Sequence, residues 1–242
     1  MSVSRELLEH YERAYVEENP TMAEGRSIGA ERKSENIIAL CESLAHDRVL
    51  EIGAGDGAVL VALGKQGFAK EMTALEISAA AVKRLKALNI PGLSAEIFNG
   101  AEIPASDASF DLAILSHVVE HLENPRQLLK EAARVAKHVF VEVPCEDNRG
   151  AGKDWRWNPE GHINYYTPRS IRFLVQSCGL RVHQQRIVDW ALPTYIFENG
   201  LVKGLIKLGI KRLALPLPFS SKVFTYNCAL VTSPQITGVM SR

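Results

Sequence analysis

Cysteine is scarce in this chain. The 242 residues hold four, Cys41, Cys145, Cys178 and Cys228, far apart and with no C-x-x-C pair. A disulfide-framed secreted scaffold and a thiolate zinc site are therefore not expected, and reduced thiols of a cytoplasmic protein are. Long apolar runs are missing too. No stretch reaches the ~18 uninterrupted apolar residues of a membrane span, so integral membrane association is not expected. Residues 1–15 are charged and lack the apolar core of a signal peptide. An excess of one charge is also absent. With 28 basic and 28 acidic residues the formal net charge is zero, which argues against nucleic acid as a partner. Repeats and low-complexity tracts are lacking. What remains is a chain of 46% hydrophobic residues, long enough for one large core.

The glycines are where chemistry first shows. Residues 49–57 read Val-Leu-Glu-Ile-Gly-Ala-Gly-Asp-Gly. Val49, Leu50 and Ile52 have the character of a buried strand, and Gly53, Gly55 and Gly57 follow at alternate positions. Without a Cβ, glycine lets the chain turn sharply and lets a ligand approach the backbone. Ala58–Leu63 then reads as the opening of a helix, whose free N–H groups point back at the loop. Strand, glycine loop and helix N-terminus together form a cofactor cradle. The spacing is G-x-G-x-G rather than the dinucleotide G-x-G-x-x-G. Glu51 lies two residues before the first glycine. Glu76 ends the next apolar segment, where a ribose-binding carboxylate is expected.

Strand and helix patterns alternate along the chain. An amphipathic helix over 4–16 carries Leu7, Leu8, Tyr11 and Tyr15 on one side, and Asn19-Pro20 breaks it. A second helix is expected over 31–44. Strands are expected at 49–52, 72–77, 94–98, 110–115 and 138–143, the last stopped by Pro144. Helices are expected at 58–65, 78–88 with Ser78 as N-cap, and 125–136 with a proline in its first turn. A helix over 167–178 and strands at 180–188 and 223–231 complete the set. This alternation predicts an α/β, doubly wound, mostly parallel sheet. It divides into an N-terminal helical cap (1–46), a core (47–188), a lid insertion (189–222) and a final strand with a tail (223–242).

The segment Glu51-x-Gly53-x-Gly55-Asp56-Gly57 resembles motif I of the class I methyltransferases that use S-adenosylmethionine. Ser109-Phe110-Asp111-Leu112-Ala113 is similar to the start of strand four in that family, and Val118 to Pro125 to its sequel. Leu128 to Val135 resembles the following helix. Together these point to the small-molecule type of methyltransferase, of the type 11/12 kind. The resemblance implies a Rossmann-like, seven-stranded sheet with its final strand antiparallel, and S-adenosylmethionine as cofactor with S-adenosylhomocysteine as product. By the same resemblance Gly53, Ala54 and Gly55 pack against the methionine part, with Glu51, Gly57 and Ile77 beside them. Glu76 accepts from both ribose hydroxyls, which suits a carboxylate with two oxygens. The turn Asn99-Gly100-Ala101-Glu102 forms the adenine pocket. The family often has aspartate at Gly100, so either Asn99 or the backbone supplies the polar contact. Ser116 faces the sulfonium.

Candidate catalytic residues follow strand four. Were Ser116–Leu122 a helical turn, His117, Glu120 and His121 would share one face. His162 joins them from Glu160-Gly161-His162-Ile163-Asn164-Tyr165-Tyr166-Thr167-Pro168, which looks like a segment of many relatives. The readings are a structural role for Glu120-His121, a general base at His121 or His162, or a divalent metal on all four; metal is not the favoured one. Related Glu/His sets bind metal in some relatives, but there the first member is usually Glu rather than His117. The run Asp154-Trp155-Arg156-Trp157-Asn158-Pro159 is either a wall of the acceptor pocket or a surface clasp. In the insertion, Gly200–Leu213 carries a lysine every fourth residue beside a broad apolar face, which suits a lid, a dimer contact or a lipid-facing helix. The reading that gathers these features is methyl transfer to a small-molecule acceptor, a hydroxyl of a sugar, quinone or natural product, by a monomer or homodimer. The alternatives are a metal-assisted RNA ribose 2′-O-methyltransferase and a non-catalytic regulatory protein that binds the cofactor.

Overall fold

The structure, a computed structural model, describes residues 5–17, 19–149, 151 and 161–235. The aromatic run 154–159 lies outside the described residues. In chain order the elements are α1 (Arg5–Val16), α2 (Pro20–Cys41), β1 (Arg48–Ile52), α3 (Ala58–Lys65), β2 (Glu71–Glu76), α4 (Ala79–Ala87), β3 (Leu93–Ile97) and β4 (Phe110–Ser116). They continue with α5 (Pro125–Val135), β5 (Ala136–Cys145), α6 (Pro168–Ser177), β6 (Leu180–Val188), α7 (Leu192–Asn199), α8 (Leu201–Ala214) and β7 (Tyr226–Pro234).

Seven strands form one sheet in the order β3-β2-β1-β4-β5-β7-β6. Pairing is parallel from β3 to β5, and β7 runs antiparallel to both its neighbours. The strand order reverses between β1 and β4, and open α/β sheets bind ligands beyond the carboxyl ends of such a pair. The central strands are apolar on both faces because helices cover both. Leu50, Ala113, Leu115 and Val141 face α5 and α6, while Val49, Leu112, Ile114 and Phe140 face α2, α3 and α4. At the opposite end of the sheet Asp111 accepts from the Arg48 amide at 3.0 Å and from Lys137 Nζ at 2.8 Å.

Three of the boundaries that differ from the sequence expectation have a local reason. Helix α2 begins at Pro20, not residue 31. Asn19 caps it through its side chain, which accepts from Thr21 and Met22, and Pro20 takes the first helical position, where no N–H is needed. The pair that ends one helix thus starts the next. Strand β5 runs through Pro144 to Cys145. Its pairing with β4 ends at Glu142, and beyond that only β7 continues beside it. Proline fits there because one edge of the strand is open. Strand β7 starts at Tyr226 instead of 223, after a 3₁₀ turn at Ser220–Lys222.

Candidate active site

The glycine loop leaves β1 and turns beneath β2. Gly53 and Gly55 have φ of +72° and +61°, in the left-handed region. The amides of Gly53 and Ala54 donate to the Leu75 carbonyl at 2.8 and 3.3 Å, which ties the loop to β2. A Cβ on Gly53 would lie 2.7 Å from Val118, and one on Gly55 would lie 2.8 Å from the Tyr15 hydroxyl. Gly57 turns elsewhere. Its missing Cβ faces Leu88 and Leu85 of α4, at 2.5 and 2.8 Å, so the structure places this glycine in helix packing rather than on the cleft.

Glu76 is buried at the carboxyl end of β2. Its Oε1 accepts from the Gly55 amide at 2.7 Å and its Oε2 from its neighbour Ile77 at 2.8 Å. Burial raises its pKa, against the pull of those backbone donors. A cleft of about 610 Å³, its mouth included, opens over this carboxylate. Gly53, Glu76, Ile77, Gly100, His117 and His121 are among its lining residues. Asn99 Oδ1 accepts from Ala101 and Glu102, both at 2.8 Å, so its carbonyl shapes its own loop. Ser116 is buried, and its hydroxyl has no partner among the described residues.

The sequence did not announce what covers the cleft. Tyr11 and Tyr15 of α1 stack at 6.5 Å, 17° from parallel, and both line it. Glu12 fastens the helix, accepting from the Ser78 hydroxyl at 2.7 Å and the Ala80 amide at 3.2 Å at the start of α4. Their i, i+4 spacing gave the only hint of a shared face. Phe98, Leu122 and Leu128 complete an apolar wall.

The expected helical turn at 116–122 is absent. His117 adopts φ +57°, and only Val119–His121 forms a 3₁₀ turn. This kink splits the four candidate catalytic residues. His117 turns toward Trp190, ring centres 5.6 Å apart, and toward Glu142, 3.8 Å from Nε2. His121 turns the other way, toward Tyr11 and His162, ring centres 5.9 and 4.8 Å away. Glu120, His121 and His162 each offer a ligand atom within 4.8 Å of the others, and His117 is not in that group.

Their protonation follows from the surroundings. Burial pushes the His117 imidazole down to about 4 and the His121 imidazole down to about 3, helped by Lys33 and His162 respectively. Both rings are neutral near pH 7. His121 Nδ1 lies 3.1 Å from the Gly161 carbonyl, which can only accept, so Nδ1 carries the proton and Nε2 the lone pair. His162 Nδ1 lies 2.7 Å from Glu146 Oε2, and this carboxylate orients that ring. Glu120 is fully buried, and burial lifts its pKa to about 7. Neither of its oxygens has a well-formed hydrogen bond among the described residues. His117 Nδ1 is 3.4 Å from Oε1.

Lys33 of α2 is a further group that sequence reasoning missed. Glu142, Glu120, Glu51 and Asp56 all pull its pKa up, and burial overrides them to lower it. A lysine eighteen residues or more from any of these partners in the chain gives no local signal. Glu142 is held by Asn36 at 3.3 Å and Asn227 at 3.1 Å. Glu51 is 2% exposed, and burial raises its pKa to about 8. Lys33 opposes that rise, while Glu76 and Asp56 add to it. The folded pKa lies above the ordinary value of 4.5, so this group's contribution is full below pH 4.5 and fades as pH rises through about 8. Glu51→Gln is accordingly expected to raise the melting temperature by a few degrees at pH 8 and hardly at pH 4.5, as measured by calorimetry.

Comparison with known proteins adds to this geometry. A family described as "Methyltransferase domain" matches residues 21–185. A probable S-adenosylmethionine-dependent methyltransferase of Mycolicibacterium smegmatis is 30% identical over 139 residues, 55% of this chain and 52% of the relative. An O-methyltransferase, resE, of Aspergillus sclerotiorum is 26% identical over 125 residues, 50% and 47% of the two chains. The matched region thus spans about half the length of these relatives. Among solved structures the [4+2]-cyclase SpnF superposes with a TM-score of 0.63 at 15% identity, over 85% of this chain and 82% of the other. That likeness shows the fold alone, since one fold hosts many reactions.

Proposed function

Because the chain belongs to the methyltransferase-domain family, the class I enzymes dependent on S-adenosylmethionine, we propose that it methylates a hydroxyl oxygen of a small molecule such as a sugar, a quinone or a natural product. One observation carries this reading: the Glu76 carboxylate, buried at the end of β2, is tied to the Gly55 amide across a loop where a Cβ at Gly53 or Gly55 would meet Val118 or Tyr15. A donor with a ribose diol and an amino-acid tail fits that cradle, the diol at Glu76 and the tail along Gly53 and Gly55. S-adenosylmethionine, when bound, supplies an electrophilic methyl group. The protein holds the acceptor oxygen in line with it and excludes water through α1 and the apolar wall.

A hydroxyl needs help to attack. In this reading His121 takes the proton at Nε2, since its ring is neutral and its Nδ1 is anchored on Gly161. His162, braced by Glu146, stands beside it. The name of the Aspergillus relative agrees with oxygen as the methylated atom. A second reading has an observation of its own. A fully buried carboxylate without a well-formed hydrogen bond among the described residues, beside the imidazoles of His121 and His162, is a donor set that suits a divalent cation. Such an ion would sit on Glu120, His121 and His162 and would polarise the acceptor hydroxyl.

Incubation of the full chain with S-adenosylmethionine and a panel of phenols, sugars and polyketides should release S-adenosylhomocysteine with at least one acceptor, measured by mass spectrometry. Persistence of that rate after EDTA treatment supports the base. Loss on chelation, with recovery on Mg²⁺ or Mn²⁺, supports the ion. Calorimetry that finds no uptake of S-adenosylhomocysteine by folded protein would overturn both.

A further inference from the structure

We propose that the inserted helix α8 docks the protein on an anionic lipid surface, lying in the plane of the headgroups. Two independent features of the insertion point there, its exposed apolar face and its one-sided charge.

At ~100° per residue, Leu201, Val202, Leu205, Ile206, Ile210 and Leu213 fill roughly half the circumference of α8. All six are exposed, from 48% at Leu205 to 81% at Leu213. The opposite face is fixed against the protein. Gly204 packs on α7 so closely that a Cβ would lie 2.7 Å from the Tyr195 carbonyl oxygen. Leu208 is buried beside it, and Lys211 donates to Asp189 and the Tyr195 hydroxyl, both at 2.6 Å. The helix therefore cannot roll its apolar face inward. Leu217 and Phe219, exposed at 45% and 56%, extend the patch beyond the helix end. Scattered exposed apolar residues are ordinary, but a contiguous face of this size marks a contact surface.

Charge selects the partner. Residues 200–222 contain Lys203, Lys207, Lys211, Arg212 and Lys222 and no Asp or Glu, in a chain whose net charge is zero. Lys211 is neutralised in the interior by Asp189, and the other four are exposed, Lys207 with Glu198 of α7 3.9 Å away. Lys203 and Lys207 flank the apolar arc on one side and Arg212 on the other. Two copies of this face brought together would set like charges against each other. Anionic headgroups instead receive the cations while the acyl boundary receives the leucines and isoleucines. No described helix is long and apolar enough to cross a membrane, so the contact is in-plane.

The test uses the full chain with vesicles of phosphatidylcholine alone or mixed with phosphatidylglycerol. Co-sedimentation is expected with the anionic vesicles, falling as salt rises. Ile206→Glu with Ile210→Glu should abolish it, and Lys203→Glu with Arg212→Glu should weaken it about ten-fold or more. Both variants should keep the parental melting curve and S-adenosylhomocysteine affinity, since neither pair touches the cleft. Failure to sediment with either vesicle overturns the proposal. So does equal, salt-independent binding to neutral vesicles. A concentration-dependent dimer that the isoleucine variant dissolves, with no vesicle binding, would assign the face to a second copy instead.

Discussion

Glu76→Ala is expected to weaken S-adenosylhomocysteine binding about 100-fold, read as a dissociation constant by titration calorimetry. In the proposed function the carboxylate accepts two ribose hydroxyls while it holds the Gly55 and Ile77 amides. Hydrogen bonds to a charged group contribute roughly 1.5–3 kcal/mol each, and about 1.4 kcal/mol is a factor of ten. Removing the group also leaves two amides without their acceptor, so the loop is held to β2 only through the Leu75 carbonyl. Glu76→Gln keeps one acceptor oxygen and is expected to lose less. A dissociation constant unchanged within two-fold in Glu76→Ala, with an unchanged melt, would sink the cradle reading and leave Gly53 and Gly55 as mere turn residues.

His121→Ala is the second large effect. It should lower kcat by about 10²–10⁴ while S-adenosylhomocysteine affinity stays within two-fold, because a general base acts on the acceptor and not on the donor. The neutral imidazole does not gain a proton until pH falls toward 3, so its own titration does not limit the rate near neutrality. His117→Ala separates the two faces of the kinked turn. His117 packs on Trp190 and Glu142, away from His162, so its loss should cost far less in kcat if the base is His121. Equal losses in both would show that the turn works as one unit.

Much of this fold was readable from periodicity alone. Val49–Ile52 and Phe110–Leu115 are apolar without alternation, and such runs are what a sheet covered on both faces demands. The glycine loop was readable because only glycine tolerates the backbone at 53 and 55. The misreadings share a cause. Asn19-Pro20 does end α1 but also opens α2, and Pro144 reads as a stop inside β5, yet proline stops a chain only where its missing N–H or its ring conflicts with a neighbour. At position 20 no N–H is needed, and at 144 the β4 side has no strand. His117 in the left-handed region had no local signal, and its kink undid the shared helical face. Lys33, Trp190 and the Tyr11–Tyr15 pair were invisible as site residues because only the tertiary fold brings them to β1, β4 and β5.

The stacked tyrosines over Gly55 also bear on timing. Any ligand seated on the loop must share or displace the space of the Tyr15 hydroxyl, and α1 is latched to α4 by Glu12, with its two hydrogen bonds, and by Arg84, which donates to the Tyr15 carbonyl at 2.9 Å. Admission and discharge therefore pass through one valve, whose latch is small compared with the buried sheet beneath it. Under the proposed function, an enzyme built this way would turn over at the pace of α1 unlatching when chemistry is quick.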